Sequence, residues 1–307
     1  MKILVTGGGG LVGSHFVENY SQELKNNTTI FSPTKEGLDI ADQKSVENFF
    51  KLYKPDTVIH FAAFTDVSKA EEQRNNKNAP CWIINVEGTT NLIRAANRKL
   101  VYFIYISTDV VFSGSKDNPG PYDEDCPTEQ IPNLLSWYGW TKREAEKLVI
   151  NNLRNGTVLR IANPVRASYK AKLDYIRKIL LLYDENKFYP MFDDQYLTLT
   201  YINEVTEALK VLLARKLPGV YHVSSVNVFT PYKLANLLIE RARGKKEFVK
   251  PISIESFLKD NPSRYPQYGG LKVEKSQAAL GLKFMRWEKT IEDLSKQFKL
   301  SSTSEQQ

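Results

Sequence analysis

The sequence predicts an α/β fold: a doubly wound parallel sheet with a smaller C-terminal substrate-binding lobe. Two observations carry this. Apolar runs of strand length alternate with helical stretches through the first half of the chain, as βαβ units require. The runs KILV, TVIHF and VYFIYI are apolar at nearly every position, which suits strands covered by helices on both faces.

In chain order, KILVT is the first expected strand and LVGSHFVENYSQEL the first helix. TTIFS is a second strand ending near Ser32, and SVENFFKLY a helix. DTVIHFAA follows as a strand, APCWIINVEGTTNLIRAANR as a helix and VYFIYIST as a further strand. LDI, Leu38 to Ile40, reads as a strand end. Beyond Arg160 the alternation loosens, with helices expected over LDYIRKILLLY, VTEALKVLLAR and TPYKLANLLIERA, and a strand over GVYHVSS. The expected division is residues 1–165 for a nucleotide-binding domain, with a return segment at about 198–225. Residues 166–197 and 226–300 form the lobe, and the polar end, 301–307, is a flexible tail.

The 307-residue chain carries a net charge of +7, but lysine and arginine are spread without a basic block. Nucleic acid is therefore not expected as a partner, and small phosphate-bearing ligands fit better. Cys81 and Cys126 lie far apart and no charged leader with an apolar core is visible, so a reducing, cytoplasmic location is expected. The run LKVLLA falls far short of the roughly 20 residues that a membrane span needs, so no membrane partner is expected. His15, His60 and His222 are dispersed without metal-ligand spacing, and no metal site is expected.

VTGGGGLVGS places Gly7, Gly10 and Gly13 in the spacing G-x-x-G-x-x-G between the first strand and the first helix, with Leu11 and Val12 inside the loop. Such glycines let the backbone turn sharply and approach a pyrophosphate, while the helix start offers N–H groups and positive dipole. That makes the first domain an NAD(P)-binding domain of Rossmann type. At the end of the second strand an NAD-preferring site would carry an acid for the ribose hydroxyls, but Ser32, Thr34 and Lys35 stand there instead. They favour NADP(H), with NAD(H) still compatible. Asp39, beside Ile40, fits either an adenine contact or the N-cap of ADQKSVENFF.

SWYGWTK puts Tyr138 and Lys142 on one face of a helix, four residues apart. A phenol titrates near pH 10, too high for acid-base work unless a neighbouring ammonium lowers it, so Lys142 is expected to tune Tyr138 and to hold the nicotinamide ribose. Trp137 and Trp140 suit either a nucleotide-pocket wall or helix packing. YISTDVVFSG ends an apolar strand in Thr108 and Asp109, at the sheet edge where open α/β folds bind ligands. Thr108 is placed to hydrogen-bond the substrate oxygen that Tyr138 protonates.

TGGGGLVG, LDI, KPDTVIHFAAFTDVSKAE, NVEGTTNL, YISTDVVFSG, PYDED, YGWTKREAE, GVYHVSS and LGLKF together resemble the dTDP-4-dehydrorhamnose reductase family of extended short-chain dehydrogenase/reductases. The resemblance implies a catalytic triad of Thr108, Tyr138 and Lys142, pyrophosphate contacts at Gly7, Gly10 and Gly13, and a cofactor cleft lined by Phe61, Ala62 and Ala63. It assigns Thr65, Val67, Thr108 and Asp109 to the substrate, and Arg264 to the substrate diphosphate. LRIANPVRA is similar to a strand of nucleotide-sugar 4-epimerases, implying a substrate contact for Asn163 and a cofactor contact for Val165. Departures fall at Val110, Ser113 and Ser68, where the family carries Tyr, Asp and Asp, and in the longer CPTEQIPNLLSW segment. The implied function is NAD(P)H-dependent reduction of a nucleotide-activated 4-keto-6-deoxysugar by a homodimer. Two alternatives share the scaffold: a nucleotide-sugar 4-epimerase that retains NAD, and a non-catalytic NADP-binding subunit like the beta subunit of methionine adenosyltransferase.

Overall fold

The computed structural model describes residues 1–22, 28–260 and 265–304, with side chains described through Phe298. The chain divides into two compact units: Met1–Phe112 with Pro127–Arg160 and Val205–Tyr221, and Ser113–Cys126 with Ile161–Glu204 and His222–Gln307. Residues 113–126 thus join the second unit, not the first domain where the sequence placed them, and the return segment is Val205–Tyr221.

The sheet of the first unit has the order β2-β1-β3-β4-β5-β9, built from β1 (Lys2–Thr6), β2 (Thr29–Phe31), β3 (Thr57–His60), β4 (Tyr102–Thr108), β5 (Gly156–Ile161) and β9 (Gly219–Val223), with Ile161 and His222–Val223, the last residues of β5 and β9, counted in the second unit. β1 pairs in parallel with both β2 and β3, and β3 with β4. Winding runs outward from β1 to β2, then crosses back to β3. The switch point between β1 and β3 opens a crevice at their carboxyl ends. The strands expected to be central are buried throughout β3 and β4, and over all but the first residue of β1.

Helix α1 (Leu11–Gln22) buries Gly13 and Phe16. α2 (Gln43–Tyr53) buries Val46, Phe49 and Phe50, a 3.6-residue stripe facing the core. Its N-cap is Asp42, whose carboxylate accepts the Lys44 N–H, so Asp39 is not the cap; Asp39 instead accepts the Ala41 N–H at 2.9 Å in a local turn. LDI is likewise not a strand. Leu38 and Ile40 are buried, because they are apolar anchors of this turn, and Asn91 holds the Ile40 carbonyl at 3.0 Å.

After α3 (Val67–Glu71), the stretch expected as one helix is divided: α4 (Pro80–Trp82), a π-helical segment (Ile83–Gly88) and α5 (Thr89–Asn97). π turns are rare and concentrate at functional sites; here the segment carries the buried Asn85. α6 (Trp137–Asn152) starts at Ser136, whose hydroxyl caps the Gly139 N–H at 3.1 Å. A Cβ at Gly139 would overlap the Val110 carbonyl, so only glycine lets the start of α6 close on the 3₁₀ turn Asp109–Val111 that follows β4.

The second unit contains β6 (Pro164–Val165), α7 (Tyr175–Asp184), β7 (Met191–Phe192) and β8 (Thr200–Tyr201), followed after α8 (Ile202–Arg215) by α9 (Pro231–Arg243). β10 (Pro251–Ile252), α10 (Glu255–Asp260), α11 (Glu274–Leu280) and α12 (Trp287–Ser304) complete it. β6 pairs with β8 and β7 with β10, both in parallel. Leu234, Leu238, Ile291 and Leu294, from α9 and α12, join Ile176 and Leu180 of α7 in one apolar core. α12 runs to Ser304, so residues 301–304, expected in a tail, continue a helix.

Candidate active site

The glycine loop closes on the end of β1. Gly7 adopts φ +71°, the left-handed region that side chains with a Cβ avoid, and its amide-side neighbour is the chain after β3: a Cβ at Gly7 would sit 2.5 Å from the Ala62 nitrogen. The Phe61 N–H donates to the Thr6 carbonyl at 3.0 Å, which lays Phe61, Ala62 and Ala63 against the loop. Gly10 donates to the Gly7 carbonyl at 3.0 Å and Leu11 and Val12 open α1, while around Gly9 a Cβ would meet nothing within 4 Å. A tight turn with one open backbone face under a helix start is what a pyrophosphate requires, so these residues fit a dinucleotide. Ser32 belongs to the same group, since a Cβ on Gly8 would overlap its hydroxyl. Lys35 is exposed and faces Asp39 at 3.8 Å, an ion pair of the kind that contributes little and opens easily for a phosphate. Gly7→Ala is expected to combine left-handed strain with backbone overlap, about 1–3 kcal/mol, and so to raise the NADPH dissociation constant by about tenfold or more in a fluorescence titration.

At the other end of the crevice wall, β4 delivers Thr108, the 3₁₀ turn after it delivers Asp109, and α6 delivers Tyr138 and Lys142, all within the first unit. The Thr108 hydroxyl donates to Asp109 Oδ1 at 3.1 Å and accepts the Val110 N–H at 3.3 Å. Burial pushes Asp109 up to about 6, opposed by the Thr108 hydroxyl and by the backbone N–H groups of Asp109 and Val110. Tyr138 is half-buried, and burial first, then the Asp109 charge, push its phenol well above the usual range. Lys142 is pulled down to about 7 by burial, with Glu146 and Cys81 acting the other way. Its Nζ donates to the Ile106 carbonyl at 2.7 Å and lies 4.0 Å from the centroid of the Tyr105 ring.

The expected tuning of Tyr138 by Lys142 is therefore corrected. Burial outweighs the helical four-residue spacing, because both groups lose water that would stabilise their charged forms. Tyr138 keeps its proton at neutral pH and is suited to give it up to an oxygen that gathers negative charge.

Three residues that connect these parts escaped the sequence reading. Asn85 accepts the Phe64 N–H at 2.7 Å and donates to the Thr141 hydroxyl at 2.9 Å, which in turn donates to the Tyr138 carbonyl at 2.8 Å. Glu71 accepts the Trp137 N–H at 2.9 Å, and Arg74 donates to the Leu135 carbonyl at 2.7 Å, so the end of α3 and the turn after it hold the start of α6. No local pattern marks them, since their partners lie 21 to 66 residues away. Trp137 is 2 % exposed and stacks on Trp82, so packing is its role; Trp140 is half-buried with the Arg143 guanidinium 5.1 Å from its ring.

Thr65 is exposed and Val67 half-buried at the start of α3. Asn163 and Val165 belong to the second unit: Asn163 has φ +43° and donates to the Thr198 carbonyl at 3.0 Å, while Val165 is fully buried in that unit's apolar core. Arg264 lies outside the described residues.

A doubly wound sheet, a glycine loop at its switch point and a Tyr-Lys helix over the edge of β4 define an extended short-chain dehydrogenase/reductase. Within that class, residues 1–300 match the family model described as the RmlD substrate binding domain, and the chain belongs to that family. It is 28% identical over 294 residues to the dTDP-4-dehydrorhamnose reductase of Mycolicibacterium smegmatis, covering 95% of this chain and 84% of that protein. It is also 29% identical over 287 residues to methionine adenosyltransferase 2 subunit beta of Xenopus tropicalis, covering 89% and 82%. The crystal structure of dTDP-4-dehydrorhamnose reductase from Bacillus anthracis in complex with NADP superposes with a TM-score of 0.81 at 25% identity, covering 95% of this chain and 98% of that one.

Proposed function

We propose that the chain is an NADP(H)-dependent reductase of a 4-keto group on a nucleotide-activated 6-deoxysugar, the activity named for its dTDP-4-dehydrorhamnose reductase relatives. The observation that carries the reading is a proton-bearing Tyr138 phenol beside Thr108 and Asp109, at the same sheet end as the glycine loop. The bound nicotinamide supplies hydride. Tyr138 then gives its proton to the ketone oxygen, and Thr108, freed from its internal bond to Asp109, holds that oxygen in place. Lys142, one helical turn beyond Tyr138 and bonded to the Ile106 carbonyl, holds the nicotinamide ribose as an ammonium. Gly7, Gly10, Leu11, Val12, Gly13 and Phe61 to Ala63 hold the dinucleotide, Ser32 and Lys35 the 2′-phosphate, and Thr65 and Val67 the sugar side. A homodimer in the cytoplasm completes the reading, the first tested by light scattering.

The experiment follows NADPH absorbance after addition of dTDP-4-keto-6-deoxyglucose, with and without a 3,5-epimerase that supplies the rhamnose-configured ketone. Loss of absorbance with product formation is expected. Tightly retained NAD without NADPH loss would replace this reading with the epimerase, and a stoichiometric protein partner without turnover would replace it with a regulatory subunit.

A further inference from the structure

Tyr138, Lys142 and Glu146 follow one another at four-residue steps along one face of α6. β4 is stitched to that face at two successive residues. The Ile106 carbonyl accepts Lys142 Nζ at 2.7 Å, and the Ser107 hydroxyl donates to Glu146 Oε2 at 2.8 Å. Strand alternation turns Tyr105 to the same side as Ser107, under the Lys142 ammonium. From β5, Arg160 Nε donates to the two Glu146 carboxylate oxygens at 3.1 and 3.2 Å, and its Nη2 also bonds Oε1. Glu146 is 1 % and Arg160 2 % exposed.

We propose that Glu146 is a positioning residue: held by Ser107 and Arg160, its carboxylate is the buried counter-charge that keeps Lys142 an ammonium without binding it directly. This rests on the reading of Lys142 and Tyr138 given under the proposed function. The arrangement has a chemical consequence. A direct Glu146–Lys142 salt bridge would take up a further N–H of the ammonium, whereas Arg160 and Ser107 occupy the carboxylate and, among the described residues, Lys142 donates to the Ile106 carbonyl alone.

The groups facing Lys142 from each neighbouring element are Tyr138 and Glu146 on α6, Tyr105 on β4, Cys81 on α4 and His60 on β3. Burial raises the Tyr105 and Tyr138 phenols and the Cys81 thiol, and it lowers His60 to about 3, so all four are neutral at pH 7. Asp109, on the turn after β4, acts on Tyr138 and not on Lys142. Glu146, paired with Arg160, is therefore the one negative charge among the described groups that faces Lys142.

The test is Glu146→Gln, which keeps the shape and the Ser107 bond but removes the charge. Lys142 is read directly by ¹³C NMR of lysine Cε against pH, its signal assigned by loss in Lys142→Arg. The expected result is a fall of about one unit or more in the Lys142 titration. The ammonium is then lost at lower pH, and the alkaline limb of kcat/KM moves down by the same interval. If the single variant fails to fold because Arg160 is left unpaired, Glu146→Gln with Arg160→Met removes both charges and should move Lys142 in the same direction. A Lys142 titration unmoved in whichever variant folds overturns the proposal, and so does a loss of thermal stability with an unchanged pH profile. Wild-type protein inactive on every keto-sugar nucleotide would sink the reductase reading, while the NMR titration would still judge the role of Glu146.

Discussion

Tyr138→Phe is expected to lower the turnover of ketone reduction by about 10²- to 10⁴-fold, the usual contribution of a positioned general acid. The phenol hydroxyl is the only part removed, and the ring keeps its place on the first turn of α6. NADPH affinity and the circular dichroism spectrum should stay near those of the wild type. The loss should appear in kcat more than in KM, because the proton matters only once hydride has begun to reach the carbon. Full turnover in a folded Tyr138→Phe protein would remove this residue from the chemistry and with it the reductase assignment. Its surroundings fit the assignment, since a phenol pushed above its usual range by burial and Asp109 keeps the proton it must donate.

The second large effect is on stability. Arg160→Ala strands the Glu146 carboxylate in the interior with, among the described residues, the Ser107 hydroxyl as its one remaining partner, at a site where both members of the pair are almost fully buried. Breaking a buried ion pair by removing one partner costs about 3–5 kcal/mol, because the remaining charge has lost both water and counter-charge. Urea unfolding followed by circular dichroism should show a loss of unfolding free energy of that size, seen as a lower midpoint with an unchanged slope. A loss below about 1 kcal/mol would mean that water reaches Glu146 once the guanidinium is gone. Arg160 also lies 4.9 Å from the centroid of the Phe112 ring, so part of the loss is packing; Arg160→Met, which keeps apolar volume, should be milder than Ala.

Most of the nucleotide end of the protein was legible from sequence. Local signals suffice there: strand, glycine spacing and helix are contiguous, so Gly7, Gly10 and Gly13 take their place without help from distant residues. Thr108 at a strand end and Tyr138 with Lys142 on a helix face were legible for the same reason. Asp39 stayed open between an adenine contact and the cap because two acids, Asp39 and Asp42, stand near the start of α2, and only the backbone path shows that Asp42 is the cap. The single helix read over residues 79–98 missed its π segment, since the periodicity of apolar residues does not register one inserted residue per turn.

By itself the sequence determined the α/β class, the parallel winding, the dinucleotide loop and the residues that face one another along α6, because each depends on neighbours within a few positions. Tertiary structure decided what those residues are chemically. Burial reversed the expected tuning of Tyr138, brought Lys142 to about 7, and set Glu146 between Ser107 and Arg160. The free energy of a charge depends on how much water and which counter-charges surround it. Here those are supplied by β4, which lies well before α6 in the chain, and by β5, which follows α6 directly; the folding of the sheet under the helix brings both to the same face.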